Sequence, residues 1–296
     1  MTYQVTKTQK EKSKVTKEEW REYTQTVWQI ANTSDPNHPA VFPIEIPRRL
    51  IKLFSFYGET VLDPFGGTGT TAMAAIELGR HGVCIEQNPD YAKIISNRCH
   101  ALPNEKEHAQ IILGDSRNME ILSSDSVGLV VTSPPYWNKA DYGKGGENIG
   151  NEPVYTRFFD CIRPVFEECY RVLMPGRKLC VVTANVNQHT EHGLLTFPLA
   201  ADFICQLRDI GFVIVNELIW SKVATGGKWG SHGKQRPIFG SYPYPPNFLF
   251  KNVHEYIVIV AKPPSQKSIG KTVVSYDYLM GKPDLHKPIC RQRKGK

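Results

Sequence analysis

Short apolar runs, each closing on a polar residue, alternate with stretches of helical period along most of this chain. Thr60-Val61-Leu62-Asp63, Gly82-Val83-Cys84-Ile85-Glu86 and Val127-Gly128-Leu129-Val130-Val131 are brief and uninterrupted, the mark of strands buried on both faces. Residues 109–113, 178–183, 212–220 and 255–261 read the same way. Between them, residues 72–78, 155–173 and 197–208 carry helical spacing, and Asn88-Pro89 places a cap and a first-turn proline before another helix. Residues 44–54 have apolar positions at 46, 50, 51, 53 and 54, which leaves Arg48 and Arg49 to a solvated face. Strand and helix alternate from 60 to 220, so an α/β fold with a mostly parallel sheet covered on both faces is expected. No helix separates the last two strands, which makes the final one antiparallel. Residues 1–19 are polar and are expected to be mobile up to Trp20. Residues 28–30 and then 38–43, the latter with X-Pro steps at 39 and 43, read as an extended lead-in. Residues 139–151 are Gly-rich and charged, the pattern of a mobile loop.

Composition narrows the class. The chain has 296 residues, 41% of them hydrophobic and 22% charged, enough for a full core in one large domain or in one domain with a small appendage. No apolar run approaches the roughly 18 residues that a membrane span needs, and no apolar signal core follows Met1. Seven scattered cysteines without a CxxC argue against a zinc site or a disulfide framework and for a cytoplasmic protein without a metal. The net charge of +7 is modest, but lysines crowd residues 7–17, and Lys282, Lys287, Arg291, Arg293, Lys294 and Lys296 crowd the end. Such arms suit a polyanion.

The candidate chemistry falls where the strands end. Ligands of open parallel sheets sit beyond the carboxyl ends of the strands, and Asp63, Glu86, Asp115 and Ser133 all lie there. Behind Asp63, the loop Gly66-Gly67-Thr68-Gly69-Thr70-Thr71 lets a ligand approach the backbone, and Glu86 can accept from ribose hydroxyls. A nicotinamide dinucleotide and another adenosine compound both fit this much. No Walker lysine follows, and Asp63 would repel a pyrophosphate but attract a cationic amino-acid moiety. In Thr132-Ser133-Pro134-Pro135-Tyr136, two prolines stop a strand and hold Ser133 extended, leaving a rigid row of acceptors beside a ring. That arrangement suits a flat group bearing an NH2.

With both motifs in view, the chain resembles the amino-group DNA methyltransferases that depend on S-adenosylmethionine and modify cytosine N4 or adenine N6. The resemblance covers residues 28–262. It implies a Rossmann-like methyltransferase fold with a seven-stranded sheet. Asp63-Pro64-Phe65-Gly66-Gly67-Thr68-Gly69-Thr70-Thr71 is similar to the family's cofactor motif, Glu86 to its ribose-binding acid, and Asp115-Ser116 to the segment beside the adenine. Residues 38–42, ending in Phe42, resemble the element that closes over the methionine end. Residues 132–136 match the catalytic motif, which implies roles for Ser133, Pro134, Pro135 and Tyr136. Ser133 Oγ and the Pro134 carbonyl would accept from the target amine. Tyr136 would stack on a base flipped out of duplex DNA. Stacking needs only a ring, so Tyr136→Phe is expected to keep most activity. Serine at position 133 is usual for cytosine N4 enzymes of the family, and Asp or Asn for adenine N6 enzymes.

The target sequence is expected to be read by an insertion at 222–252, with Lys222, Lys228, Trp229, Lys234, Arg236, Tyr242 and Tyr244 as candidate DNA contacts beside Lys139 in the earlier loop. This gives a basic arm at 1–27, a catalytic domain at 28–262 and a basic tail at 263–296. A monomer acting on double-stranded DNA is expected, with a restriction endonuclease as a functional rather than physical companion. Three rivals remain: a Pro-Pro-Tyr methyltransferase acting on RNA or a protein amide, a nicotinamide-dependent dehydrogenase, and a non-catalytic DNA-binding protein. The dehydrogenase leaves residues 132–136 unexplained.

Overall fold

A computed structural model of the chain describes residues 4–32, 42–102, 109–137, 148–222, 243–246, 250 and 252–264. The chain divides into two compact units at Pro263/Pro264, and the second lies outside the described residues apart from Pro264. The first begins with α1 (Lys7–Lys12), α2 (Lys17–Tyr23), β1 (Val27–Gln29) and α3 (Glu45–Phe54). It continues through β2 (Thr60–Asp63), α4 (Thr70–Glu77), β3 (His81–Glu86), α5 (Pro89–His100), β4 (Ala109–Leu113) and β5 (Val127–Thr132). Then follow α6 (Tyr155–Val172), β6 (Leu173–Thr183), β7 (Val186–Thr190), β8 (Gly193–Phe197), α7 (Leu199–Ile210), β9 (Val213–Ser221) and β10 (His254–Ala261).

Eight strands form the main sheet in the order β1-β9-β10-β6-β5-β2-β3-β4. Successive side chains leave a strand on opposite faces, and the core divides accordingly. Leu129, Val131, Cys180, Val182, Ile257 and Ile259 join Trp28, Leu50 and Ile51 on one face. Val130, Leu179, Val181, Val258 and Val260 join Phe158, Phe166 and Phe203 of α6 and α7 on the other. All strand pairs of this sheet are parallel except those of β10, which runs antiparallel to both β6 and β9. The chain lays β2, β3 and β4 outward, then returns to put β5 on the other side of β2. The order therefore reverses between β2 and β5, and a crevice opens at their carboxyl ends.

Four features differ from the sequence expectation. The eighth strand is β1, where the buried Trp28 draws the lead-in against β9 and Val27–Gln29 pairs with Ile219–Ser221. Instead of a mobile start, α1 and α2 are helices closed by capping boxes, Thr6 with Gln9 and Thr16 with Glu19. They dock on the body, where Lys52 bonds Glu19 and Gln9 Nε2 donates to the Tyr57 carbonyl at 3.1 Å. Arg49 is buried rather than solvated. Its guanidinium donates to Glu45 at 2.9 Å and to Glu22 at 2.5 Å, and it lies over the rings of Tyr23 and Trp28. Finally, β7 and β8 form a separate antiparallel ribbon.

One buried ion pair braces the amino-terminal edge of the sheet. Glu59, just before β2, is 3% exposed, accepts from Phe56 N at 2.8 Å and pairs with Arg177 of β6. A Cβ on Gly128 of β5 would lie 2.8 Å from Glu59 Oε2, so glycine is what lets that carboxylate in. Removing one partner of a buried pair costs roughly 3–5 kcal/mol. Arg177→Met should therefore lower the urea unfolding midpoint by the equivalent of about 3 kcal/mol. An unchanged midpoint would mean that the pair contributes no stability.

Candidate functional site

β2 delivers Asp63 to the crevice, and its Oδ1 is the junction of the site. It accepts from the Thr132 hydroxyl at 2.7 Å and from Phe65 N at 3.0 Å. The carboxyl is 2% exposed, and burial pushes its pKa up to about 7, although the Thr132 and Thr71 hydroxyls and the Phe65 N–H oppose the shift. The hydrogen bond from Thr132 ties the end of β2 to the end of β5 across the reversal point.

The turn after Asp63 needs glycine. Gly69 has φ +83°, and a Cβ there would sit 2.8 Å from Ile95 Cγ2. Gly66 N donates to the Ile85 carbonyl at 2.9 Å, which seats the loop against β3. Thr70 and Thr71 then open α4, both buried. Phe65 packs against the aromatic face of the core.

At the end of β3, Glu86 is held by the backbone. Oε2 accepts from Gly67 N at 2.7 Å and Oε1 from Asn88 N at 2.8 Å, and the Gln87 N–H also favours the ionised form. Burial raises its pKa against those hydrogen bonds. Among the described residues neither Asp63 nor Glu86 carries an ion pair. Asp115, beyond β4, differs. The Arg117 guanidinium grips both its oxygens and holds the carboxyl below the ordinary range. Ser116 beside it is buried.

Beyond β5, Pro134 is buried while Ser133, Pro135 and Tyr136 are partly exposed. The far end of this segment is anchored by Trp137, whose ring meets Tyr155 at 5.0 Å and Phe197 at 4.6 Å. The Tyr136 hydroxyl donates to Glu255 Oε2 at 2.8 Å, and Ser133 Oγ lies 3.5 Å from that same hydroxyl. Lys222 donates to the other oxygen of Glu255.

The geometry thus gathers Asp63, the glycine loop, Glu86 and residues 132–136 at one edge of the sheet. Phe42 lies against the Trp28–Leu50 face of the core. Tyr244 is exposed, and Lys222 is paired with Glu255. Residues 38–41 and Lys139, Lys228, Trp229, Lys234, Arg236 and Tyr242 lie outside the described residues. Sequence reasoning missed Glu255, Arg117 and the Thr132 hydroxyl as members of the site. Thr132 sits in the quoted motif, and only the register of β2 against β5 shows that it meets Asp63. Among the described residues no cluster of His, Cys, Asp and Glu could hold a metal, and no helix is long and apolar enough to cross a membrane.

Residues 1–97 and 127–291 match a family model described as DNA methylase, of the N6 and N4 type. The type II methyltransferase M.MjaI of Methanocaldococcus jannaschii is 45% identical over 189 residues, covering 56% of this chain and 60% of that protein. The type II methyltransferase M.BglI of Bacillus subtilis is 41% identical over 86 residues, 28% of this chain and 25% of its own length. The chain therefore matches less than two thirds of the length of either relative. Among solved structures, the TTHA0409 protein of Thermus thermophilus, determined with S-adenosyl-L-methionine, is 31% identical with a TM-score of 0.37, covering 56% of this chain and 59% of that one. A methyltransferase of Methanosarcina mazei is 11% identical with a TM-score of 0.48, covering 73% of this chain and 97% of that one.

Proposed function

Because the chain belongs to the N6/N4 family of DNA methylases, we propose that it transfers a methyl group from S-adenosylmethionine to an exocyclic amine of a base in double-stranded DNA. The observation that carries the reading is the 2.7 Å hydrogen bond from Thr132 to Asp63, which brings the glycine loop and the amine-acceptor segment to one crevice. The donor set fits the cofactor. The buried carboxyl of Asp63 and the half-buried one of Glu86, at neighbouring strand ends and without an ion pair among the described residues, suit a ligand bearing both a cation and a ribose diol. Asp63 would face the cationic amino-acid portion, Glu86 the ribose, and Asp115-Ser116 the adenine, with Phe42, Phe65, Gly66, Gly67, Gly69, Thr70 and Thr71 lining the approach. When bound, the cofactor supplies an electrophilic sulfonium methyl.

The chain's own residues prepare the nucleophile. An exocyclic amine shares its lone pair with the ring and attacks poorly. Hydrogen bonds from its NH2 to Ser133 Oγ and the Pro134 carbonyl favour a tetrahedral nitrogen and offset the charge that develops on it. Pro135 and the buried Pro134 keep those acceptors fixed, so much of the acceleration is positioning. The Tyr136 ring covers the flipped base. No covalent bond between enzyme and base is required.

The finer assignment is cytosine N4, on the strength of Ser133. Residues 28–262 would carry the catalysis, residues 222–252 the reading of the target, and the basic tail at 263–296 additional phosphate contacts. A restriction endonuclease acting on the same site is the expected companion. The test incubates the protein with labelled S-adenosylmethionine and unmethylated duplex DNA, then identifies the product nucleoside by mass spectrometry. N4-methylcytosine is expected. N6-methyladenine would refute the base assignment alone, and label confined to RNA or protein would refute the DNA reading.

A further inference from the structure

We propose that Glu255 is a positioning residue for methyl transfer, acting through the Tyr136 hydroxyl to turn the Ser133 hydroxyl so that its lone pairs face the target amine. The inference rests on the reading of Ser133 as an amine acceptor. A serine hydroxyl can donate or accept. To accept from an NH2, its own proton must be directed elsewhere, and nothing in serine itself fixes that direction.

The arrangement around Glu255 fixes it. Strand β10 runs antiparallel to β6 and β9, so its first residues lie at the edge where β5 and β9 end. Glu255 is 7% exposed there. Lys222 occupies one oxygen, and a carboxylate held by an ammonium can only accept at the other. The Tyr136 hydroxyl must therefore donate to Glu255 Oε2, at 2.8 Å. Its single proton is then committed, and only lone pairs remain toward Ser133. Toward that oxygen Ser133 Oγ, 3.5 Å away, can therefore only donate. The contact is long, and catalytic hydrogen bonds often tighten only when substrate is in place. Donation thus runs from Ser133 to Tyr136 to Glu255, with Lys222 donating to Glu255 from the other side, and a polar network so satisfied specifies a single arrangement.

This assigns the Tyr136 hydroxyl a task that stacking does not require, and the two accounts diverge for Tyr136→Phe. In single-turnover assays with labelled S-adenosylmethionine and duplex DNA, Glu255→Gln and Tyr136→Phe should each slow transfer about tenfold. The affinities for cofactor and DNA should stay within about twofold of wild type. Glu255→Gln is nearly isosteric, and Tyr136→Phe removes a single oxygen, so at least one variant should fold normally by thermal melting. Placed in a Ser133→Ala background, neither substitution should slow transfer further, because the group they orient is gone. A purely structural role would give the same proportional loss in both backgrounds, and that result overturns the proposal, as do unchanged single-variant rates. A wild-type protein that labels no DNA overturns the functional reading along with it, and is told apart by its failure before any substitution is made.

Discussion

Asp63→Ala should abolish methyl transfer, lowering kcat/KM by about 10³-fold or more, with the loss appearing first as failure to bind S-adenosylmethionine. Three connections meet at this carboxylate. It would face the ligand's positive charge, it accepts from Phe65 N at the start of the glycine loop, and it accepts from Thr132 at the head of the proposed amine-acceptor segment. Losing a charge-assisted contact and the positions of two loops together exceeds the roughly 1.5–3 kcal/mol of a single charged hydrogen bond. Asp63→Asn separates these effects. An amide can still accept from Thr132 and Phe65 through its oxygen but brings no charge. Ligand-induced thermal stabilisation, which scales with the logarithm of ligand concentration over Kd, should be large in wild type and nearly absent in both variants. Wild-type shifts in Asp63→Asn would show that the charge plays no part.

The buried carboxyl also predicts a pH dependence. Its pKa is raised from 3.8 to about 7 on folding. Between those values the folded chain binds a proton that the unfolded chain does not, so ligand-free stability falls as pH rises through that window. Cofactor binding has the opposite sign. A cationic ligand favours the ionised form, so affinity should climb about tenfold from about pH 6 to about pH 7.5 and then level off. Asp63→Asn should remove the slope. Isothermal titration at several pH values measures it, and a flat wild-type profile would place the cation elsewhere.

Much of this architecture is legible in the sequence because β2, β3 and β5 are short apolar runs that close on or just before a candidate site residue. Asp63, Glu86 and Ser133 could be placed at one edge from chain order alone, since parallel strands carry their carboxyl ends to the same side. Glu255 escaped because β10 runs the other way, which brings its first residues rather than its last to that edge. Arg49 escaped for a different reason. It stands three residues after Ile46 and four before Leu53, on the apolar stripe, and charge suggested solvent. The rings of Tyr23 and Trp28 and the carboxylates of Glu22 and Glu45 make burial possible there. Helices α1 and α2 have too few apolar residues for periodicity to register. Their signal is the spacing Thr6-x-x-Gln9 and Thr16-x-x-Glu19, which does announce a helix start. In the β7–β8 ribbon, β7 is mostly polar and β8 offers only Leu194, Leu195 and Phe197, too short a run to stand apart from the helix that follows.

Ser133→Ala should reduce the rate of the chemical step about 10²-fold, close to 2.7 kcal/mol in the barrier, while cofactor affinity stays unchanged. The size follows from what remains. The Pro134 carbonyl would still accept one hydrogen of the amine, and Pro134 and Pro135 still hold the backbone extended. One of two acceptors is lost at the point where positive charge develops on nitrogen, and removing a single such preorganised partner costs about 10²–10³-fold in comparable sites. Pro134→Ala attacks the same step differently. It keeps a carbonyl at position 134 but adds an N–H and frees φ, so both acceptors lose their fixed direction, and a loss at least as large is expected. Rapid-quench single-turnover measurements isolate the step from product release, and equilibrium binding of the cofactor checks that Asp63 and Glu86 are undisturbed. If Ser133→Ala runs within about threefold of wild type while Pro134→Ala is inactive, the amine is held by the carbonyl alone. The Ser133 hydroxyl then has no part in the reaction, and neither does the Tyr136–Glu255 chain behind it.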